Sequence, residues 1–411
     1  MEEDNGLLMY PIKEKSKQFK YLYQEEKRMS KVVIQECKNY EVEAIIEKIN
    51  AAVESLGGWD KFVKPQDKVL LKVNLIGPKS SETAAITHSE FVRAMVRILK
   101  GRNCIVWIGD SSGGAIAGIA PTAQSFKIAG YERVAAEEGA EIKNFDREGV
   151  TPVQPESACE ETMHIAKPMF DADVVINLPK LKTHSAQIFS GAVKNVFGCI
   201  PGLKKAKYHK MAPDPSDFGQ IICDIHKATK IQLHIMDGIL AMQGEGPTAG
   251  SIYQADKILV SEDPLALDAV AAKMVGMEVV DVPILETARK RKLGESWLKN
   301  ITLAGDYEQV PRLAGFKLPK RFRGTKKRNT KFLVKLIDFF NTHPRIDHKK
   351  CKNCNMCVES CPVEAIDKDT KQIDYNTCID CMCCHELCMF KAVELKNENK
   401  VAGLISGFFR K

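Results

Sequence analysis

From residue 31 onward, short runs of β-branched and aliphatic residues alternate with stretches of helical periodicity. Residues 31–37 read as a strand, 42–56 as a helix, 68–75 as a strand and 89–99 as a helix. The next strand, 104–109, is closed by Asp110 and a Ser-Ser-Gly-Gly turn. Residues 173–178 read as a buried strand, 192–197 and 217–229 as helices, and 231–236 as a strand. A strand at 257–260 and a helix at 264–274 complete the series. Strands alternating with helices predict an α/β domain with a mostly parallel sheet and crossover helices, spanning residues 31–310.

The pattern changes near residue 311. Residues 317–335 hold nine Lys or Arg and no acid, with Pro319 and Gly324 breaking regular structure, so 311–345 reads as a basic linker. Its end is amphipathic through Phe332, Leu333, Leu336, Phe339 and Phe340, a pattern suited to a helix docking on the α/β domain rather than to a membrane surface. Residues 346–397 form a separate small α+β unit, and 1–30 and 398–411 are tails. A chain of 411 residues is consistent with this division.

Composition adds constraints. Hydrophobic residues at 44% and charged residues at 27% match an ordinary globular chain. No window has 18 uninterrupted apolar residues, and the acidic start lacks a secretory signal, so the expectation is a cytoplasmic protein with no transmembrane segment. The formal charge of +7 treats every cysteine as neutral and is concentrated in one stretch, so nucleic acid is not expected as a partner. Of 14 cysteines, nine fall between 351 and 388, which points to metal and not to disulfides. The remaining five, Cys37, Cys104, Cys159, Cys199 and Cys223, read as small buried hydrophobes.

Cys351, Cys354, Cys357 and Cys361 have the spacing C-x2-C-x2-C-x3-C and are followed by Pro362. Cys378, Cys381, Cys384 and Cys388 repeat that spacing at an offset of 27, with Met389 in the proline position. This is the bacterial ferredoxin run for two [4Fe–4S] clusters, in which the fourth cysteine of each run ligates the other cluster. The first cluster is then held by Cys351, Cys354, Cys357 and Cys388, and the second by Cys378, Cys381, Cys384 and Cys361. Structural zinc uses paired C-x2-C knuckles, and a third cysteine two residues on does not fit that layout. Cys383, beside Cys384, is an additional thiol open to three readings: alternate ligand, redox-active group, or small residue facing away.

Within the α/β region, KVLLKVNL at 68–75, Thr87-His88, Ile108–Ser111, NLPKLKTH at 177–184, GAVKNVFG at 191–198 and EDPLALD at 262–268 occur in that order. Together they resemble the family called domain of unknown function 362, known as iron–sulfur centre proteins, across roughly residues 31–280. That resemblance implies an α/β architecture with a ferredoxin tail. It implies no reaction.

The same residues have a chemical reading of their own. In a parallel sheet the carboxyl ends of strands face one crevice. That arrangement is expected to gather Lys72, Asn74, His88, Asp110, Ser111, Lys180, Lys182, His184, Lys194 and Asn195, with His209 and the Lys204, Lys205, Lys207 cluster nearby. Asp237-Gly238 and the glycine-rich 244–250 loop are expected to line it. So many cations suit an anionic ligand or cofactor, a carboxylate or phosphate. No P-loop, G-x-G-x-x-G, H-E-x-x-H or G-x-S-x-G motif is present.

Three functions follow from these features. The first is electron transfer through two clusters to a redox partner protein. The second is an iron–sulfur oxidoreductase acting on an anionic small molecule or organic cofactor in the crevice. The third is a cofactor-assembly scaffold.

Overall fold

The computed structural model describes residues 29–115, 118–157, 161–202, 204–322 and 342–397. Its strands are β1 (Ser30–Glu36), β2 (Lys68–Lys72), β3 (Ile105–Asp110), β4 (Glu141–Asn144), β5 (Val150–Val153), β6 (Met163–Ala166) and β7 (Val174–Asn177). They continue as β8 (Lys180–His184), β9 (Ile188–Ser190), β10 (Leu233–Gln243), β11 (Ser251–Ser261), β12 (Ile301–Gly305), β13 (Thr342–Ile346) and β14 (Val393–Asn397). Ten of them build one sheet in the order β12-β1-β11-β10-β7-β2-β3-β4, with β8 joined to the far half of β10 and β9 to β8. The run β10-β7-β2-β3-β4 is parallel throughout, and antiparallel pairing is confined to β1–β11, β10–β11 and β8–β9. The sheet is therefore mostly parallel.

Both sheet faces are covered, as a parallel sheet requires. Alternation along β2 sends Val69 and Leu71 to one core and Leu70 to the other. The first core holds the helices Val42–Glu54 and Ser89–Lys100, and the second holds Pro215–Ala228, Pro264–Met274 and Pro283–Lys290. The connection leaving β2 thus lies on one face and the connection leaving β7 on the other. Adjacent strands whose connections diverge in this way open a crevice at their carboxyl ends, the usual ligand position in open α/β sheets.

Several boundaries differ from the sequence reading. The strand expected at 231–236 runs on to Gln243, because Asp237-Gly238, which read as a strand end, lies mid-strand at a shift in register. The strand expected at 257–260 starts at Ser251. β8 was missed because four of its five residues are polar, yet all five are buried. Packing also continues past residue 310: Leu313 is buried in the second core, and Phe316, Leu318 and Phe322 lie against it. The amphipathic stretch around Phe332–Phe340 and the tails lie outside the described residues. Cys37, Cys104, Cys199 and Cys223 are buried, as expected of small hydrophobes, and Cys159 lies outside the described residues. Among the described residues no helix is long and apolar enough to cross a membrane.

The cysteine module closes with the antiparallel pair β13–β14. Its two halves repeat in backbone conformation as well as in sequence. Asn353 and Asp380, Asn355 and Met382, and Glu364 and Lys391 form three pairs offset by 27, all with positive φ. Non-glycine residues adopt that region rarely, so its recurrence at matched positions marks two copies of one cysteine loop.

Candidate functional site

Two cavities open inside the module. One is lined by Cys351, Cys354, Cys357 and Cys388. The other is lined by Cys361, Cys378, Cys381 and Cys384, with Cys383 beside them. Each cavity thus draws three thiols from one run and the fourth from the other, the crossed arrangement expected from the spacing. The donor set fits an iron–sulfur cluster. Backbone N–H groups of Ala365 and Ala392, again 27 residues apart, donate to Cys361 Sγ and Cys388 Sγ at 3.2 Å each. Such bonds orient the sulfurs and tune a bound cluster. Exposure differs between the cavities: Cys354 of the first is at the surface, whereas Cys384 of the second is buried.

The second cavity faces the sheet. The module's helix Cys383–Leu387 inserts at the carboxyl ends of β2 and β3, where Leu387 packs so close to Gly113 and Gly114 that a Cβ on either glycine would stand 3.2 Å from it. Ser360 Oγ accepts from Ala115 N at 3.0 Å, Glu359 accepts from Gly118 N at 3.0 Å, and Thr248 Oγ1 donates to the Glu386 carbonyl at 2.6 Å. The 244–250 loop therefore meets the module.

Between module and sheet lies a cavity of about 160 Å3. Asn74, Asp110, Ser111, Lys182, Lys194 and Asn195 line it, together with Ser190, Lys205, His209, Cys383 and Glu386. Beneath it, Lys72 is wholly buried. Its Nζ donates to Asp110 Oδ2 at 2.9 Å, Val73 O at 2.7 Å and Asn195 O at 3.1 Å, so every proton is used internally. Gly198 is required here, since a Cβ would fall 2.1 Å from Asp110 Oδ1 and 2.7 Å from Lys72 Nζ. Asn195 donates to Asn177 Oδ1 and accepts from Asn74 Nδ2, both at 2.7 Å, and Asn74 Oδ1 accepts from Lys182 Nζ at 2.7 Å. This chain fixes the angle of the Lys182 ammonium.

Lys194 differs. Among the described residues its ammonium has no hydrogen-bond or ion-pair partner, and it sits near the Phe197 ring, 6.0 Å from the centroid. Burial lowers its pKa, with Glu386 opposing. Burial likewise holds Lys182 well below the ordinary lysine range, helped by the charge of Lys194. Lys205, whose Nζ donates to Ser111 Oγ at 2.6 Å and Ser112 O at 3.2 Å, is lowered to about 8, again mainly by burial. Desolvated cations crowded together favour an anion among them.

His184 lies one step behind. Its Nδ1 accepts from Ala186 N and Gln187 N at 3.2 and 3.0 Å, which leaves the proton on Nε2. That atom stands 3.2 Å from Glu386 Oε1, but the alignment is poor and neither atom gains a hydrogen bond. Burial pushes the Glu386 carboxyl up to about 7.

His88 and Lys180 do not join the crevice. Asp237, mid-strand in β10, takes them elsewhere: it accepts from Lys180 Nζ at 2.7 Å, from the His88 backbone N–H at 2.9 Å and from Tyr40 OH at 2.8 Å. The His88 ring stacks on Tyr40 with centroids 3.6 Å apart. An irregular register between β8 and β10 separates Lys180 from Lys182. Asp237 likewise does not line the crevice. Conversely, Cys383 and Glu386 were missed as crevice residues. Nothing in a cysteine run indicates which side chain will face a second domain. Lys205 carried a weak signal as one of three clustered lysines.

Residues 69–273 match the family described as Domain of unknown function (DUF362), and residues 344–367 match the 4Fe-4S binding domain. A thylakoid-associated protein of Synechocystis is 32% identical over 264 residues, covering 62% of this chain and 77% of that protein. A crystal structure of a Thermotoga maritima protein superimposes with a TM-score of 0.37 at 15% identity, over 62% of this chain and 60% of that one. The lactate racemase apoprotein of Thermoanaerobacterium thermosaccharolyticum gives 0.36 at 12% identity, over 56% and 54%. The chain thus spans less than two thirds of either solved protein.

Proposed function

The chain belongs to the DUF362 family, and from that premise we propose an electron-transfer protein with two [4Fe–4S] clusters, one of which serves an anionic ligand in the crevice. One observation carries this reading: Cys383 lies in the wall of both the second four-thiol cavity and the cation-lined crevice. Bound clusters of this type take up and release single electrons. The chain's own part is to hold and orient. Eight thiols provide the ligands, and Lys182, Lys194 and Lys205 hold the anion. Leu387 and Phe197 supply apolar wall, which suits a ligand with an organic body over a bare inorganic ion. If that ligand is consumed, the protein is an iron–sulfur oxidoreductase; if it stays bound, it is a cofactor.

Anaerobic purification, iron and sulfide analysis, and mass spectrometry of extracted small molecules test the reading. About eight iron and eight sulfide per chain with an organic anion released on denaturation are expected. Stoichiometric zinc without sulfide would overturn it.

A further inference from the structure

We propose that the surface around Cys354 is the docking face for a small acidic electron-carrier protein, which reaches the first four-thiol cavity there. This inference rests on the two-cluster reading above. The two cavities differ in their thiols: the first reaches the surface at Cys354, whereas the second includes the buried Cys384 and borders the crevice through Cys383. Phe390 lines that same cavity and is 41% exposed, an apolar contact beside the thiol.

Two acids, Asp347 and Glu394, lie beside the lysines here, and both pair with Lys350, Glu394 with Lys396 as well. Residues 347–396 contain nine acids and seven lysines, so the module as a whole is acidic. Four of those lysines, Lys349, Lys350, Lys352 and Lys391, flank Cys354 and Phe390 in sequence and are exposed. Lys350 pairs with Glu394, whereas Lys349, Lys352 and Lys391 have no ion-pair partner among the described residues. Many of the acids are engaged elsewhere. Asp367 and Asp374 cap turns, Asp380 pairs with His343 at 2.9 Å, Glu359 bonds Gly118, and Glu386 is buried in the crevice. Lys352 lines the cavity with Cys354 and Phe390, Lys349 and Lys391 adjoin it in sequence, and these exposed cations complement a carrier with acids around its redox centre. The transfer balances simply: the reduced carrier loses one electron, the first cluster gains it, and no proton or group moves.

The test uses the full-length cluster-loaded protein and an acidic [2Fe–2S] ferredoxin as probe. Affinity is measured by titration calorimetry at about 0.02 M and about 0.5 M salt, between which the Debye length shrinks several-fold. At least a tenfold loss of affinity at the higher salt is expected. The triple variant K349E/K352E/K391E should lose at least tenfold at low salt while keeping its iron content. Salt-independent binding by wild type, or unchanged binding by a cluster-loaded variant, would overturn the proposal. If the variant fails to load, K349Q/K352Q/K391Q replaces it, because salt dependence alone does not separate this face from the basic stretch 317–335. Photoreduction by neutral deazaflavin separates the two claims: ferredoxin binding to clusters that cannot be reduced condemns the electron-transfer reading, and reducible clusters without binding condemn only the docking face.

Discussion

His184 Nε2 and Glu386 Oε1 stand 3.2 Å apart across the seam between the sheet and the cysteine module, buried and poorly aligned. Two acids of the module, Glu359 and Glu386, line the crevice, and Glu386 is the one whose charge bears on Lys182 and Lys194. A carboxyl group here competes with any bound anion for those ammonium groups. Glu386→Gln should therefore raise anion affinity by at least several-fold, since a like charge at about 4 Å costs about 1 kcal/mol even in bulk water. Calorimetric titration of phosphate and succinate into wild type and variant checks the sign.

Lys194→Ala should have the opposite effect. Among the described residues its ammonium has no hydrogen-bond or ion-pair partner, so its loss removes ligand contacts and, internally, only the approach to the Phe197 ring. Binding of the same anions should weaken by about 1.5–3 kcal/mol, the range for hydrogen bonds to charged groups. Iron content should not change.

Asp110 is a structural counterpart. It pairs with fully buried Lys72 and accepts from Leu75 N at 3.0 Å. Asp110→Ala would strand a buried ammonium and cost on the order of 3–5 kcal/mol. Urea unfolding of wild type and variant measures this, and a loss below about 1 kcal/mol would mean that the ion pair is not holding Lys72.

Lys205 should leave a mark in the pH dependence of stability. Its pKa falls from an ordinary 10.5 to about 8 in the folded chain, chiefly through burial, with Asp146 and Asp110 opposing and Lys72 reinforcing. Between those values the unfolded chain binds more protons than the folded one, so this group's contribution rises with pH. It is complete above 10.5 and is lost as pH falls through 8. The stability difference between wild type and Lys205→Met, followed by denaturant titration from pH 7 to 10.5, should move in favour of wild type as pH rises. A flat difference would contradict the burial of a neutral amine.

How much of this could be read from the sequence depended on whether the signal was local. The cysteine loops were legible because ligand spacing within a few residues is dictated by the cluster, and the positive-φ pairs at an offset of 27 follow the same repeat. The parallel core was legible from runs such as Val69–Leu71. β8 was not, because Lys180, Lys182, Thr183 and His184 read as residues of a loop converging on the crevice and pair as a strand only through partners far along the chain, such as Asn74 and Asp237. The separation of His88 and Lys180 from the crevice depends on where Asp237 sits in β10, and a carboxylate followed by glycine reads as a turn. The seam left no local trace: Ala115 and Ser360 bond across 245 residues.

The crossed lining of the two cavities makes Cys361→Ser informative. Cys361 lines the second cavity although it ends the first run. The variant should keep the first cluster and lose or convert the second, removing up to about four iron per chain. Loss of the first cluster alone would show ligation within runs.

The most direct test of coupling between cluster and crevice is electron paramagnetic resonance of the dithionite-reduced protein during titration with succinate. Cys383 borders the second four-thiol cavity and the crevice together, so the anion should alter the signal of one cluster and leave the other unchanged. Lys194→Ala should abolish the response. A spectrum with one cluster only, or two signals indifferent to an anion that calorimetry shows to be bound, would contradict it.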